Sequence, residues 1–133
     1  MKIGFDTGFF VLLAKGDKKS VELLSSLKTP ARTGVISALT IFELKRLILM
    51  GKVDKKVTET YISQIPEVFR IVWVEDIAVL EKAAALSVGV GLSSLDALIL
   101  ASLLEEGVEK IYTTDRDFET YNKKGVEIIN LRR

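Results

Sequence analysis

Four carboxylates, Asp6, Glu43, Asp96 and Asp115, each stand where an apolar stretch gives way to a polar, helix-starting one, in the contexts KIGFDTGFF, VISALTIFELK, GLSSLDALILASLLEEG and KIYTTDRDF. None has a histidine or cysteine beside it, because the chain contains neither residue. That absence excludes Ser-His and Cys-His catalysis, histidine general bases, disulfides and every zinc site built on Cys or His. Oxygen ligands and lysine remain. Four acids brought together would repel unless protonated or neutralised by cations. Carboxylates and water suit Mg²⁺ or Mn²⁺ rather than zinc or copper. Such a site activates water and offsets charge in phosphoryl chemistry, with one ion or two.

Each acid also has a purely structural explanation. Thr40-x-x-Glu43 and Ser93-x-x-Asp96 fit capping boxes, and Asp6 and Asp115 fit helix N-caps stabilised by the helix dipole. Taken singly, capping and chemistry are evenly matched. Taken jointly the acids say more, since exposed caps need not recur after strands and at the start of the most apolar helix. In an open α/β sheet the strand ends that turn into helices line one edge, where ligands bind, so acids distant in sequence can form one cluster.

The elements that would present them follow from hydrophobic periodicity. Strands are expected at residues 2–5, 32–36, 69–74, 110–113 and 126–130. Helices are expected at 7–14, 20–27, 40–50, 53–65 (ended by Pro66), 76–88 and 93–106, with a helical turn at 118–122. The loop Gly89-Val90-Gly91-Leu92 should separate the last two helices, and the helix from Ser93 should lie buried, being apolar almost all round. This alternation predicts an α/β fold with a mainly parallel central sheet and helices on both faces. At 133 residues, 48% hydrophobic and 28% charged, with no repeat or linker, residues 1–133 read as a single domain.

Net charge is +1, so no overall basic field points to nucleic acid, and any anion site must be local. No apolar run is long enough to span a bilayer. The start resembles a signal peptide, but Asp6 interrupts its apolar region, and a first strand plus helix is the better reading. With no cysteine, a reducing cytoplasm is the expected compartment. Abundant Lys and Glu with only Gln64, Asn122 and Asn130 as amides lean toward a thermophilic source.

In this order and spacing the motifs resemble those of the PIN-domain nucleases, and among them the small single-domain VapC-type toxins of VapBC toxin–antitoxin pairs. Phe5-Asp6-Thr7 resembles the family's opening. Ser37 through Leu44, with Thr40-x-x-Glu43-Leu44, is similar to its second block, Asp96 through Ala101 to its third and Thr113-Thr114-Asp115-Arg116-Asp117-Phe118 to its fourth. The resemblance spans essentially the whole chain. It implies a three-layer α/β/α sandwich and a metal-binding quartet of Asp6, Glu43, Asp96 and Asp115, with Asp117 as an auxiliary acid. Thr7 and Thr113 would be hydroxyls that orient water or phosphate. It further implies an endoribonuclease that hydrolyses RNA phosphodiesters with a metal-activated water, a homodimer, and an antitoxin partner lying across the groove. The chief departure is Gly8, where the family more often carries Asn or Ser.

Lys15, Lys45, Arg46 and Arg116 lie within a few residues of the acids and are the expected RNA contacts, although cations on helix faces are more often simply solvated. Lys18-Lys19, Lys55-Lys56 and Lys123-Lys124 read as exposed surface. Trp73, Phe9 and Phe10 read as core or interface rather than base-stacking platforms. Exposed apolar residues among Phe9, Phe10, Leu13 and Leu47 would offer a partner surface, with burial in the core as the plainer reading. Two rivals stand beside the nuclease. Asp6-Thr7-Gly8 spells the aspartic-protease motif, but the helical periodicity of residues 79–86 and 95–104 opposes an all-β protease. The other is the same fold as a catalytically weak RNA-binding or regulatory scaffold.

Overall fold

The computed structural model describes residues 1–121 and 125–132. Its centre is a five-stranded, wholly parallel sheet in the order β3-β2-β1-β4-β5, built from β1 (Lys2–Phe5), β2 (Thr33–Ser37), β3 (Phe69–Val72), β4 (Lys110–Thr113) and β5 (Glu127–Asn130). Six helices accompany it among the described residues: α1 (Thr7–Ala14), α2 (Lys18–Ser26), α3 (Ala38–Leu49), α4 (Lys55–Val68), α5 (Ile77–Val90) and α6 (Ser94–Glu105). The expected α/β fold with a parallel sheet is therefore what the chain forms.

Strand side chains alternate between faces, and the alternation sorts the core into two halves. Ile3, Phe5, Ile36 and Tyr112 pack against Phe9, Phe10 and Leu13 of α1, Leu44 of α3 and Ile65 of α4. Val35 and Ile111 face the other way, onto Val79, Ala83 and Leu86 of α5 and Ile99, Leu100 and Leu103 of α6. Both faces of the sheet are thus covered at β1, which fits the burial of Ile3, Gly4 and Phe5 in succession. Helix α6 is buried along its middle, as its all-round apolar sequence requires.

Several boundaries differ from expectation for identifiable reasons. Pro66 does not end α4. It lies inside the helix, two residues from Val68, and the Phe69 N–H closes the last turn onto the Ile65 carbonyl. A missing N–H so near the C-terminus removes one hydrogen bond and leaves the remaining turns intact. Gly89 and Val90 belong to α5 rather than to a loop, and the helix stops at Gly91, whose φ of 83° gives the left-handed cap. Strand β3 ends at Val72, two residues short of expectation, so Trp73 is 62% exposed rather than core. Phe9, Phe10 and Leu13 are core residues and offer no partner surface. The helical turn predicted at 118–122 is a 3-10 turn at Arg116–Thr120; Asn122 and the Lys123-Lys124 pair lie outside the described residues.

Candidate active site

Strand order decides where a crevice can form. The chain steps from β1 to β2 on one side and later returns to β4 on the other, so β1 and β4 are neighbours whose following segments diverge. At that switch point the sheet's C-terminal edge is open between them. Asp6 follows β1 directly, and Asp115 lies two residues beyond β4. Register places Phe5 beside Tyr112, and the Asp6 N–H donates to the Tyr112 carbonyl at 3.2 Å.

Both acids are N-caps. Asp6 Oδ1 accepts from the Phe9 N–H at 3.3 Å and Asp115 Oδ1 from the Asp117 N–H at 2.8 Å. They are also joined. The Thr113 hydroxyl donates to Asp6 Oδ2 at 2.5 Å and accepts from the Asp115 N–H at 2.9 Å.

Glu43 and Asp96 arrive on helices. The expected box Thr40-x-x-Glu43 does not form, because Ser37 caps α3 one turn earlier by accepting from the Leu39 N–H at 3.2 Å. Thr40 is therefore inside the helix, fully buried, with no hydrogen-bond partner for its hydroxyl. Glu43, freed from capping, accepts a hydrogen bond from the Thr7 hydroxyl, one residue past Asp6. At α6, Ser93 caps through the Asp96 N–H at 3.3 Å and donates its own hydroxyl to Asp96 Oδ2 at 2.9 Å. Asp96 thus meets the Ser93 side chain rather than its amide.

The four acids feel one another. Asp6 is only 6% exposed, and burial pushes its pKa from the ordinary 3.8 to about 7, against the lowering hydrogen bonds from Thr113 and Phe9, with Asp115 adding repulsion. Burial likewise lifts Asp96 to about 6, opposed by the Ser93 hydroxyl and reinforced by the negative charges of Asp115 and Glu43. Asp115 is therefore coupled to both Asp6 and Asp96, and Glu43 to Asp96. All four sequence-predicted acids are brought to one edge.

The donor set fits a hard divalent cation. It is all oxygen, and burial, with the repulsion of neighbouring carboxylates, raises the pKa of two of its members, a cost that a bound cation would offset. Among the described residues no three acids already stand in coordinating geometry; hydroxyls and amides hold them instead. Asp117 is exposed on the 3-10 turn, its N–H engaged by Asp115.

The cations are less concentrated. Arg116 adjoins Asp115, and Lys45 and Arg46 are exposed just beyond Glu43 on α3. Lys15 is not at the site. It follows an eight-residue helix leading away from Asp6, roughly 12 Å long at 1.5 Å per residue, and lines a groove with Gly51, Lys52, Val53 and Asp54.

Thr114, which the motif leaves without a role, has one in the packing. A Cβ placed on Gly8 would fall 1.8 Å from Thr114 Oγ1, so the threonine side chain occupies the space that a side chain at position 8 would need. Gly8, the departure from the family pattern, and Thr114 are therefore one feature.

A doubly wound parallel sheet with four acids at the edge of its switch point defines an α/β protein with a carboxylate-rich edge. The chain belongs to the PIN domain family, whose model matches residues 3–124. No curated protein matches its sequence. Solved structures share the fold. VapBC2 from Rickettsia felis, bound to a DNA fragment from its promoter, superposes with a TM-score of 0.77 at 16% identity, over 98% of both chains. A toxin–antitoxin complex from Klebsiella pneumoniae gives 0.65 at 22% identity, over 93% of this chain and 94% of the other. VapC20 from Mycobacterium tuberculosis, a toxin that cleaves the sarcin–ricin loop, gives 0.67 at 23% identity, over 88% and 92%.

Proposed function

We propose that this PIN domain is a divalent-metal-dependent endoribonuclease, the toxin of a VapBC-type toxin–antitoxin pair. The observation that carries the reading is the electrostatic coupling of four acids, one of them buried, at the open edge of the sheet. Asp6, Glu43, Asp96 and Asp115 would hold Mg²⁺ or Mn²⁺, with Asp117 as an auxiliary acid. When bound, the ion lowers the pKa of the attacking water and offsets charge developing on the phosphate.

The chain's own residues supply orientation. Thr113 fixes Asp6 relative to Asp115, Thr7 holds Glu43, and Ser93 holds Asp96, so each carboxylate has an oxygen partner that sets its direction. Burial of Asp6 lowers the local dielectric and strengthens every charge interaction there. Arg116, beside Asp115, and Lys45 and Arg46 on α3, all exposed, would meet phosphates.

Similarity to toxin–antitoxin structures supports an antitoxin partner in the cytoplasm. With Phe9, Phe10 and Leu13 buried, the exposed Phe42 and Leu49 of α3, with Met50 at its C-cap, offer an apolar surface for it. Trp73, Ile77, Leu80 and Val88 form an exposed apolar stripe along and before α5, which supports a homodimer. No helix among the described residues is long and apolar enough to cross a membrane.

The test is cleavage of single-stranded RNA with Mg²⁺ or Mn²⁺, its arrest by EDTA, and its loss by about 10³-fold in Asp6→Asn and Asp96→Asn proteins that still fold. Activity surviving both substitutions would sink the assignment. RNA binding without turnover under any divalent ion would favour the scaffold.

A further inference from the structure

Beside the acids lies a feature of opposite charge. We propose that the open groove of about 440 Å³ lined by Thr114, Arg116, Asn130 and Arg132 binds a backbone phosphate of the RNA away from the scissile bond. This rests on the nuclease reading above and adds a substrate subsite to it.

Strand register creates the groove. β4 and β5 run parallel with Thr113 beside Asn130, and the Leu131 N–H donates to the Thr113 carbonyl at 2.8 Å. The segments leaving the two strands therefore emerge side by side, at the same edge as the acids. One carries Thr114 and Arg116 on either side of Asp115, and the other carries Arg132.

The lining is chemically one-sided. The residues that line it are two arginines, a threonine and an asparagine, with no acid among them. The ion pairs among the described residues are Lys2–Glu106, Arg70–Glu106 and Lys110–Glu127, so neither Arg116 nor Arg132 is neutralised in them. Arginine's planar fork matches phosphate oxygens.

The groove is also held in shape. Asn130, 8% exposed, accepts from the Arg132 N–H through Oδ1 at 2.9 Å and donates through Nδ2 to Glu119 at 3.3 Å. The backbone of Arg132 is thus set before any ligand arrives. At the other wall, Thr114 is seated on Gly8 in the first turn of α1, two residues from Asp6. Groove and acid cluster therefore share a border.

A local cation site is what this substrate requires. A net charge of +1 gives no long-range attraction, and screening confines each charge to about 8 Å in physiological salt. The acids themselves repel a polyanion. Arg116 and Arg132, which take part in none of the ion pairs among the described residues, supply the attraction at their border where the strand must pass.

The experiment is side-chain Nε–H NMR of the full-length protein in EDTA, titrated with a uridylate hexamer, alongside cleavage kinetics with Mg²⁺ or Mn²⁺. The Arg116 and Arg132 signals should shift. Arg132→Gln should weaken binding about tenfold and reduce the slope of log K against log salt by about 0.7. In cleavage it should raise KM with kcat nearly unchanged. Arg132→Lys, which keeps the charge and loses the fork, should fall between, and it serves if the Gln variant does not fold. Lys56→Gln, an exposed charge on α4, should change nothing. Silent arginine signals with cleavage intact would overturn the groove and leave the nuclease standing. Shifting arginines without cleavage would support the groove and overturn the nuclease. Shifts induced by a polyglutamate peptide and not by the hexamer would overturn the groove as an RNA site.

Discussion

Asp6 and Asp17 perform the same local task with opposite electrostatic results. Each caps a helix by accepting the N–H three residues on, Phe9 for one and Ser20 for the other, and each takes a hydroxyl hydrogen bond, from Thr113 and from Ser20. Asp17 is partly exposed at the surface, and the Ser20 hydrogen bonds pull its pKa below the ordinary value. Asp6 is buried beside Asp115, and its pKa rises to about 7. Capping and chemistry are therefore compatible roles. What separates an ordinary cap from a site acid is where the sheet puts it and which charges share the space.

The largest way to sharpen that contrast is pH. Between 3.8 and about 7 the native protein keeps a proton on Asp6 that the unfolded chain has released, so this group's contribution is fully present below about pH 4 and is lost as pH climbs through 7. The shift of about three units sets a ceiling of about 4 kcal/mol. In EDTA, Tm should fall between about pH 5 and pH 8, and Asp6→Asn should flatten that fall. Asp17 has the reverse sign: its stabilisation is lost as pH falls through its depressed folded value, so Asp17→Asn should alter only the acid limb. Mg²⁺ or Mn²⁺ should abolish the loss above pH 7, since a bound cation replaces the proton. A metal-free Tm independent of pH over that range would break the contrast.

The hydroxyl partners offer the next largest effect. Thr113→Val removes the group that joins Asp6 to Asp115, and an outer partner of this kind is worth about 10- to 100-fold in metal affinity or activity. Ser20→Ala removes the matching hydroxyl at Asp17 and should leave nuclease activity at the wild-type level. Calorimetric Mn²⁺ titration and RNA cleavage measure both, and equal losses would show that Thr113 does no more than a cap partner does.

The same contrast explains what the sequence could reveal. Asp6 and Asp115 were legible as caps and as acids because each role needs only local context: a strand, then an acid, then a helical start. The parallel sheet was legible from alternating apolar runs. Glu43 reaches Thr7 without the capping box that its spacing from Thr40 suggests. Ser37 and Thr40 both precede α3 plausibly, and only the end of β2 at Ser37 decides which one caps. Pro66 misled because proline's cost depends on how many turns follow it. The Thr114–Gly8 seat and the Arg116–Arg132 groove were not legible at all. Both join residues far apart in the chain through the β1–β4 and β4–β5 registers, and no periodicity encodes a register between strands this short.

The smallest predicted effect concerns the second residue of each capped helix. In α2 that position is Lys19, open to water, and in α1 it is Gly8, covered by Thr114. Gly8→Ser, which restores a residue type more usual for the family, must displace Thr114, and overpacking of this kind costs about 1–3 kcal/mol. Lys19→Ser should cost only a few tenths, as surface changes do. The decisive measurement is the double variant. If Thr114 is the obstacle, Thr114→Gly vacates the space, and Gly8→Ser added to it should cost far less than it does alone. The coupling from denaturant unfolding should then exceed about 0.5 kcal/mol. Additive costs would mean that Gly8 is demanded by something other than Thr114. The pairing of the family departure with its neighbour would then fail, while the acid cluster stayed untouched.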